Sequence, residues 1–336
     1  MKFDAVLLLS FGGPEGPDDV MPFLHNVMRG RPVRPERVEQ VAAHYFEFAG
    51  MSPINAENRA LRDAIAGTLE ASGRSLPVYW GNRNWDPFLT DTLGAMRDDG
   101  IRRAAAFVTS AYSSYSSCRQ YLDDIAAARA AVGPRAPEVM KLRPYFNHPG
   151  FVGPLAGGLR RARLDAGPDA PILMTAHSIP CAQAATCRYE LELAETAVLV
   201  AGQAGEPEGS WRMVYQSRSG PPSQPWLEPD INDAIEALPE STRDVIVVPI
   251  GFVSDHMEVV YDLDRRAAAG AEKRGVKLIR SATPGRHPDF ALMVPQLIEE
   301  VERGAAAPLA LGDLGPAPCP CLPGCCPGPA PVDSRT

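Results

Sequence analysis

Long apolar runs are missing from this chain of 336 residues. No apolar stretch approaches the ~18 residues of a membrane-spanning helix, so a transmembrane segment is not expected. The N-terminus, MKFDAVLLLS, carries only a short apolar run behind Lys2 and Asp4, with no small-residue cleavage site after it. No export signal is read there, and a cytoplasmic location is expected. An excess of positive charge is missing too: 33 Lys and Arg stand against 41 Asp and Glu, a formal net charge of −8. That balance excludes a general binder of nucleic acid or of anionic membranes, although a local basic patch can still hold an acidic ligand. Histidine is scarce, with 6 in the chain.

What is present is an ordinary soluble composition, 45% hydrophobic and 22% charged, on a chain long enough for two domains. The 7 cysteines divide unevenly. Cys118, Cys181 and Cys187 are internal, whereas Cys319, Cys321, Cys325 and Cys326 crowd a Pro/Gly-rich tail. In a cytosolic chain such clustering points to a metal or cluster rather than to disulfides.

Strands are read at Phe3–Leu9, Pro77–Trp80 and Ala104–Thr109, with helices at Asn55–Ala71 and Pro87–Asp98 between them. The β-α-β-α-β order implies a parallel sheet. A second series follows a strand at Pro137–Leu142: strands at Ile172–Thr175, Arg212–Gln216, Val245–Ile250 and Lys277–Arg280, alternating with helices and closed by one at Asp289–Arg303. The two series match in detail. LLLSFGGP resembles ILMTAHSIP, NWDPFL resembles QPWLEP, and FVTSAYSSYSSCRQYLDD resembles VVPIGFVSDHMEVVYDLD. At a constant offset of 140, Cys118 falls on Glu258 and Tyr121 on Tyr261. An internal duplication is therefore expected: an α/β chain of two similar Rossmann-like halves, residues 1–150 and 151–303, each a parallel four-stranded sheet flanked by helices, with a ligand cleft between them. The tail, 304–336, shifts to Ala, Gly, Leu and Pro and cannot build a core of its own, so it is ordered only where something ties it down.

The stretch Val245–Asp264 is the most informative. A β-branched run reads as a buried parallel strand. Ser254 or Asp255 can cap a helix beginning near His256, and Glu258 and Asp262, four apart, share one face of it. Such a pair can be a solvated acidic face, but its place just beyond a strand end favours the cleft. His177, after the strand Ile172–Thr175, points to the same place from the other side. An imidazole can take a proton or ligate a divalent metal, and a carboxylate opposite can do the complementary work. His256, two residues from Glu258, faces elsewhere on a helix and reads as a supporting or structural residue.

Arg29, Arg31 and Arg34 lie within six residues, followed by Tyr45 and Ser52. They form either a solvated turn or a rim for carboxylates. Phe11, Tyr45, Trp80, Trp85, Tyr112, Tyr115 and Trp226 near the strand ends suit a large flat apolar ligand, or are core. The tail pattern C-x-C-x₃-C-C is too compressed for a usual zinc finger. Three tail thiolates and one from the body would complete a Cys₄ [2Fe–2S] site. Zinc, or a disordered tail with incidental cysteines, are the alternatives, and Cys181 and Cys187 read as ordinary thiols.

The segments LLLSFGGP, GMSPIN, TAHSIP, YQSRSGPP with PWLEP, and PIGFVSDHMEVVYDLD together resemble the ferrochelatase family from the N-terminus to about Arg303. With its Cys-rich tail the chain is most similar to the actinobacterial branch, whose members insert ferrous iron into coproporphyrin III. The resemblance implies the chelatase-type fold, with the two halves clamping the macrocycle, and a lyase of haem biosynthesis that forms nitrogen–metal bonds. It implies that His177 and Glu258 are the catalytic pair and contact the Fe2+ substrate, with Asp262 continuing an acidic line and His256 beside it. Phe11, Arg29, Arg31, Tyr45, Ser52 and Tyr115 are expected around the porphyrin, and Cys118, Cys319, Cys321 and Cys326 around a [2Fe–2S] cluster, with Cys325 as alternate to Cys326. Two positions depart from better-known members: Phe11 stands where some have a tyrosine, and Arg266 replaces an acid, which puts a long metal-delivery path in doubt.

The charged mouth segment RGRPVRPERVEQVAAHYFEFAG favours coproporphyrin III, with its four propionates, over protoporphyrin IX. The expected partners are that porphyrin, ferrous iron and a downstream haem-pathway enzyme, with the chain a monomer. Rivals are a non-catalytic tetrapyrrole carrier using His177, and a cobalt or nickel chelatase, which would carry more metal-site histidines.

Overall fold

The computed structural model of the chain describes residues 1–29, 33–221, 223–304, 308–322 and 324–328. The first sheet is built from β1 (Ala5–Ser10), β2 (Val78–Asn82), β3 (Arg103–Val108) and β4 (Glu138–Lys141), all parallel and ordered β2-β1-β3-β4. The second repeats that order with β5 (Ile172–His177), β6 (Trp211–Gln216), β7 (Asp244–Val248) and β8 (Lys277–Arg280) as β6-β5-β7-β8. Identical order in both sheets accords with the duplication read from the sequence. The central strands are buried on both faces, β1 throughout, which explains their unbroken apolar runs.

Helices connect the strands. In the first series these are α1 (Pro17–Val27), α2 (Pro35–Phe46), α3 (Ile54–Ala71), α4 (Leu89–Asp98) and α5 (Gln120–Val132). The second series has α6 (Pro149–Asp165), α7 (Cys181–Ala184), α8 (Tyr189–Ala204), α9 (Ile231–Glu236), α10 (Met257–Val260), α11 (Ala268–Lys273) and α12 (Pro288–Arg303). Two expectations need correction here. The helix expected after Pro180 breaks at 185–188 into α7 and α8. The helix expected from His256 does begin there, but His256 itself rather than Ser254 or Asp255 caps it, and it widens to a π-helical stretch at Asp262–Ala267 before resuming as α11. A wider turn of that kind re-aims the side chains around it and is frequent at functional sites.

The sheets share one core. Val6 and Leu8 of β1 and Ile172 and Met174 of β5 belong to the same buried cluster. At its centre Phe107 and Tyr145 stack at 4.9 Å, and Phe151 and Phe290 meet Tyr145 at steep angles, 5.6 and 5.9 Å away. Beside it Arg143 forks onto Glu300 at 2.7 and 2.9 Å, both side chains nearly dry. The tail is held to this body. Asn147, fully buried, donates from Nδ2 to the carbonyls of Leu311 and Gly315, both at 2.9 Å. Arg143 donates to the Leu309 carbonyl at 3.0 Å, and Glu195 accepts from the Leu314 N–H at 3.0 Å. Among the described residues no helix is long and apolar enough to cross a membrane.

Candidate active site

The site assembles where strands end. β5 ends on His177, whose carbonyl accepts from the Tyr189 hydroxyl at 2.9 Å, so the first residue of α8 fixes the strand's last peptide. Its ring is fixed by Nδ1, bonded to the Ser178 carbonyl. That leaves Nε2 free to face Glu258 Oε1, 3.4 Å away. The loop after β7 comes so close behind β5 that a Cβ on Gly251 would lie 2.5 Å from the Ala176 Cβ, so glycine is required there. The loop then turns at His256, which caps α10: its Nδ1 accepts from the Glu258 N–H at 3.1 Å. His256 thus supports the backbone under Glu258, and burial holds its imidazole below the usual value despite the neighbouring Glu258.

Burial disfavours a charged His177. The adjacent Glu258 carboxylate and its hydrogen bond, the Ser178 carbonyl and Asp262 outweigh that cost, and the pKa of His177 is pushed up to about 9. The same balance acts in mirror image on Glu258: burial pushes up, but the charge and hydrogen bond of His177, with His256, hold it down at about 2. The resting pair is therefore imidazolium and carboxylate at neutral pH. Asp262 differs. Burial raises its pKa, against a hydrogen bond from Ser217 and the charge of Arg266, whose guanidinium lies 3.4 Å from it.

Three supporting residues escaped the sequence reading, although YQSRSGPP lay in plain view. Gln216, the last residue of β6, donates to the Glu258 carbonyl, and its own Oε1 accepts from Thr175 at 2.8 Å. Ser217 bonds Asp262 through its hydroxyl, and its backbone sits at φ 61, a left-handed conformation that non-glycine residues rarely adopt. Tyr189, on α8, is the third.

The first half contributes the roof. On α2, His44 stacks on Tyr261 at 3.8 Å and 17°, and beyond it the Arg265 guanidinium lies 5.5 Å from the Phe48 ring. Tyr45 reaches near enough to Glu258 for that charge, after burial, to raise its phenol. Of the other expected rim residues, Phe11 is half open and packs edge-on to Phe23 at 6.2 Å. Ser52 is buried against the glycine turn, its backbone N–H donating to Pro14 at 2.9 Å. Arg29 is exposed and donates to Asn26 at 2.7 Å. Arg31 lies outside the described residues. Tyr115 meets the tail, where a Cβ on Gly328 would come within 2.8 Å of its ring.

The tail cysteines lie against Cys118 and Lys141. Cys118, buried in the π-helical turn Tyr115–Arg119, has its sulfur 3.9 Å from that of Cys321. Cys325 and Cys326 have their sulfurs 3.4 Å apart, and the Cys319 thiol donates to the Lys141 carbonyl at 3.6 Å. The bond from Cys118 holds the Cys321 thiol below its usual range. Among the described residues no three or more His, Cys, Asp or Glu side chains are grouped closely enough to hold a single metal ion.

Comparison with known proteins gives a consistent picture. The coproporphyrin III ferrochelatase of Mycobacteroides abscessus is 53% identical over 324 residues, covering 95% of this chain and 94% of the relative. The ferrochelatase of Rhodopirellula baltica is 50% identical over 329 residues, covering 96% and 93%. Among solved structures, the sirohydrochlorin chelatase SirB from Bacillus subtilis subspecies spizizenii, in complex with cobalt, aligns with a TM-score of 0.52 at 11% identity, over 90% of this chain and 98% of that one. That likeness speaks for the shared two-sheet fold alone. The ferrochelatase family profile matches residues 3–302, and the chain belongs to the ferrochelatase family.

Proposed function

We propose that this chain is a lyase of haem biosynthesis that inserts Fe2+ into coproporphyrin III to give iron coproporphyrin, handing the product to a downstream enzyme of the pathway in the cytoplasm. The observation that carries the reading is the His177–Glu258 pair, 3.4 Å apart at the strand ends beneath α2. The name of the Mycobacteroides abscessus relative supports the choice of porphyrin.

The chemistry follows from the charge state of the pair. A porphyrin loses two pyrrole protons as it gains a divalent metal. With a pKa of about 9, His177 holds a proton at rest. Nε2 accepts a proton from a pyrrole only after His177 has released its own to solvent, so Glu258 stays a carboxylate. Glu258, solvated on one side, carries the charge that draws ferrous iron. Asp262 is the next acceptor on that line, and its raised pKa suits it to hold a proton in passing. Phe11, Arg29, Arg31, Tyr45, Ser52 and Tyr115 remain the proposed porphyrin contacts, in a body divided as 1–150 and 151–303.

We also propose a [2Fe–2S] cluster held by Cys118, Cys319, Cys321 and Cys326, with 304–336 as its extension. Such a cluster takes four thiolates, two on each iron. The pairing of Cys118 with Cys321 supports this, as does the burial of Cys326, which senses the charge of Cys118. Cys325, less buried, is the alternate. The insertion step transfers no electrons, so the cluster's part is structural or sensory.

An anaerobic absorbance time course with ferrous iron, run in parallel on coproporphyrin III and protoporphyrin IX, tests the reading. Faster metallation of coproporphyrin is expected. Faster turnover of protoporphyrin overturns the substrate, and binding of both without metallation makes the protein a porphyrin carrier.

A further inference from the structure

The segment that carries Glu258 arches through a short helix that widens into a π-helical turn before resuming as α11. It rises at Asp255, passes through the four residues of α10 and the π-helical turn, and is drawn back at Asp264. A π-helical turn interrupts the regular ladder, and the contacts made from outside bear on its shape. On the inner side Gln216 and Ser217 hold it, as described. On the outer side both feet of the arch meet one cation. Arg280, the last residue of β8, donates from Nε and Nη2 to Asp264 at 2.6 and 2.9 Å, and from Nη1 and Nη2 to Asp255 at 3.1 and 3.0 Å. The Thr283 hydroxyl completes Asp255 at 3.0 Å. Two carboxylates nine residues apart are thus gripped by the two edges of one planar guanidinium, whose side chain is only 16% exposed.

We infer that Arg280 is a positioning residue for Glu258: by pinning Asp255 and Asp264 to the end of β8 it fixes the arch, and with it the distance from Glu258 to His177. A surface ion pair alone contributes little. A double fork fixes geometry, and only a guanidinium has the donors to make it; an ammonium is a point charge that satisfies one foot at a time. A displacement of about 1 Å at a catalytic group costs on the order of 10²-fold in rate, so loosening the arch acts on chemistry and not on porphyrin affinity.

The inference rests on the chelatase reading of the same site, and two measurements on the full chain separate them. The first is anaerobic iron insertion into coproporphyrin III by wild type, Arg280→Lys, Arg280→Met and Asp264→Asn. The expected result is a fall in kcat of at least about tenfold for Arg280→Met, a smaller fall for Arg280→Lys, and a porphyrin KM within about twofold of wild type. Adding Asp264→Asn to Arg280→Met should cost nothing more, because both break one unit. The second is amide hydrogen exchange over residues 256–262, expected to quicken at least tenfold in Arg280→Lys whether or not the protein turns over. Unchanged kcat and unchanged exchange overturn the inference. So does a loss of activity matched by loss of folded protein. Should Arg280→Met fail to fold, Arg280→Lys and Asp264→Asn answer the same question. A wild-type chain that binds porphyrin without metallating it overturns the chelatase reading, while exchange still decides the role of Arg280.

Discussion

Nε2 of His177 and Oε1 of Glu258 stand 3.4 Å apart, one on the last residue of a buried strand and the other on a four-residue helix held from outside. Each shifts the other's charge, so removing either changes both.

Replacing Glu258 with Gln keeps the shape and removes the charge. Iron insertion is expected to fall by about 10²-fold or more, the usual scale for a lost acid–base group, while porphyrin affinity stays within a few-fold. Anaerobic kinetics and a fluorescence-quenching titration read the two separately. A carrier would show no such division.

The pair also gives a pH signature. His177 has a raised pKa in the folded protein, so its share of stability is complete below its unfolded value of about 6.5 and is lost as pH rises through about 9. Glu258 has a lowered one, so its share is present above about 4.5 and is lost as pH falls through about 2. The pair therefore contributes most between pH 4.5 and 6.5. Half of the Glu258 side chain is open to solvent, which limits the contribution to about 1 kcal/mol or less. The Tm difference between wild type and Glu258→Gln should be largest in that window and vanish above pH 9.

Asn147→Ala removes the donor that holds two tail carbonyls. A loss of about 1–3 kcal/mol is expected from the unsatisfied groups left in a dry site. Urea midpoints measure it, and limited proteolysis beyond Arg303 should become faster at concentrations where the body is still folded.

Chain purified anaerobically should carry iron and sulfide with the absorbance of a two-iron cluster. Cys118→Ser is expected to lose that signal and Cys325→Ser to keep it. Retention in Cys326→Ser and loss in Cys325→Ser would exchange the two ligands.

Both sheets were legible in the sequence because buried parallel strands leave continuous apolar runs, and the matched strand ends exposed the duplication. The same runs drew attention to His177, which ends one, and to Glu258, which lies at the start of the helix after another. The supports were not legible. Gln216 reaches Glu258 and Asn147 reaches the tail by single long-range hydrogen bonds, which leave no periodic trace in either partner. Ser217 takes a conformation that sequence would assign to glycine. The widening of the helix at Asp262 sits where Ser217 and Arg280, both distant in sequence, tie onto it, and local propensity shows no sign of such ties. The contact of Tyr115 with the tail at Gly328 left no sign in residues 1–150.

The rings of Phe107, Tyr145, Phe151 and Phe290 come from both sheets' flanks and interlock in one dry cluster. Prying the halves apart would wet rings that each bury roughly 150–250 Å². The molecule is therefore no clamshell. Its floor is welded, and across the site α2, packed on α1 through Val38, Ala42 and Tyr45, meets the other half where His44 lies on Tyr261.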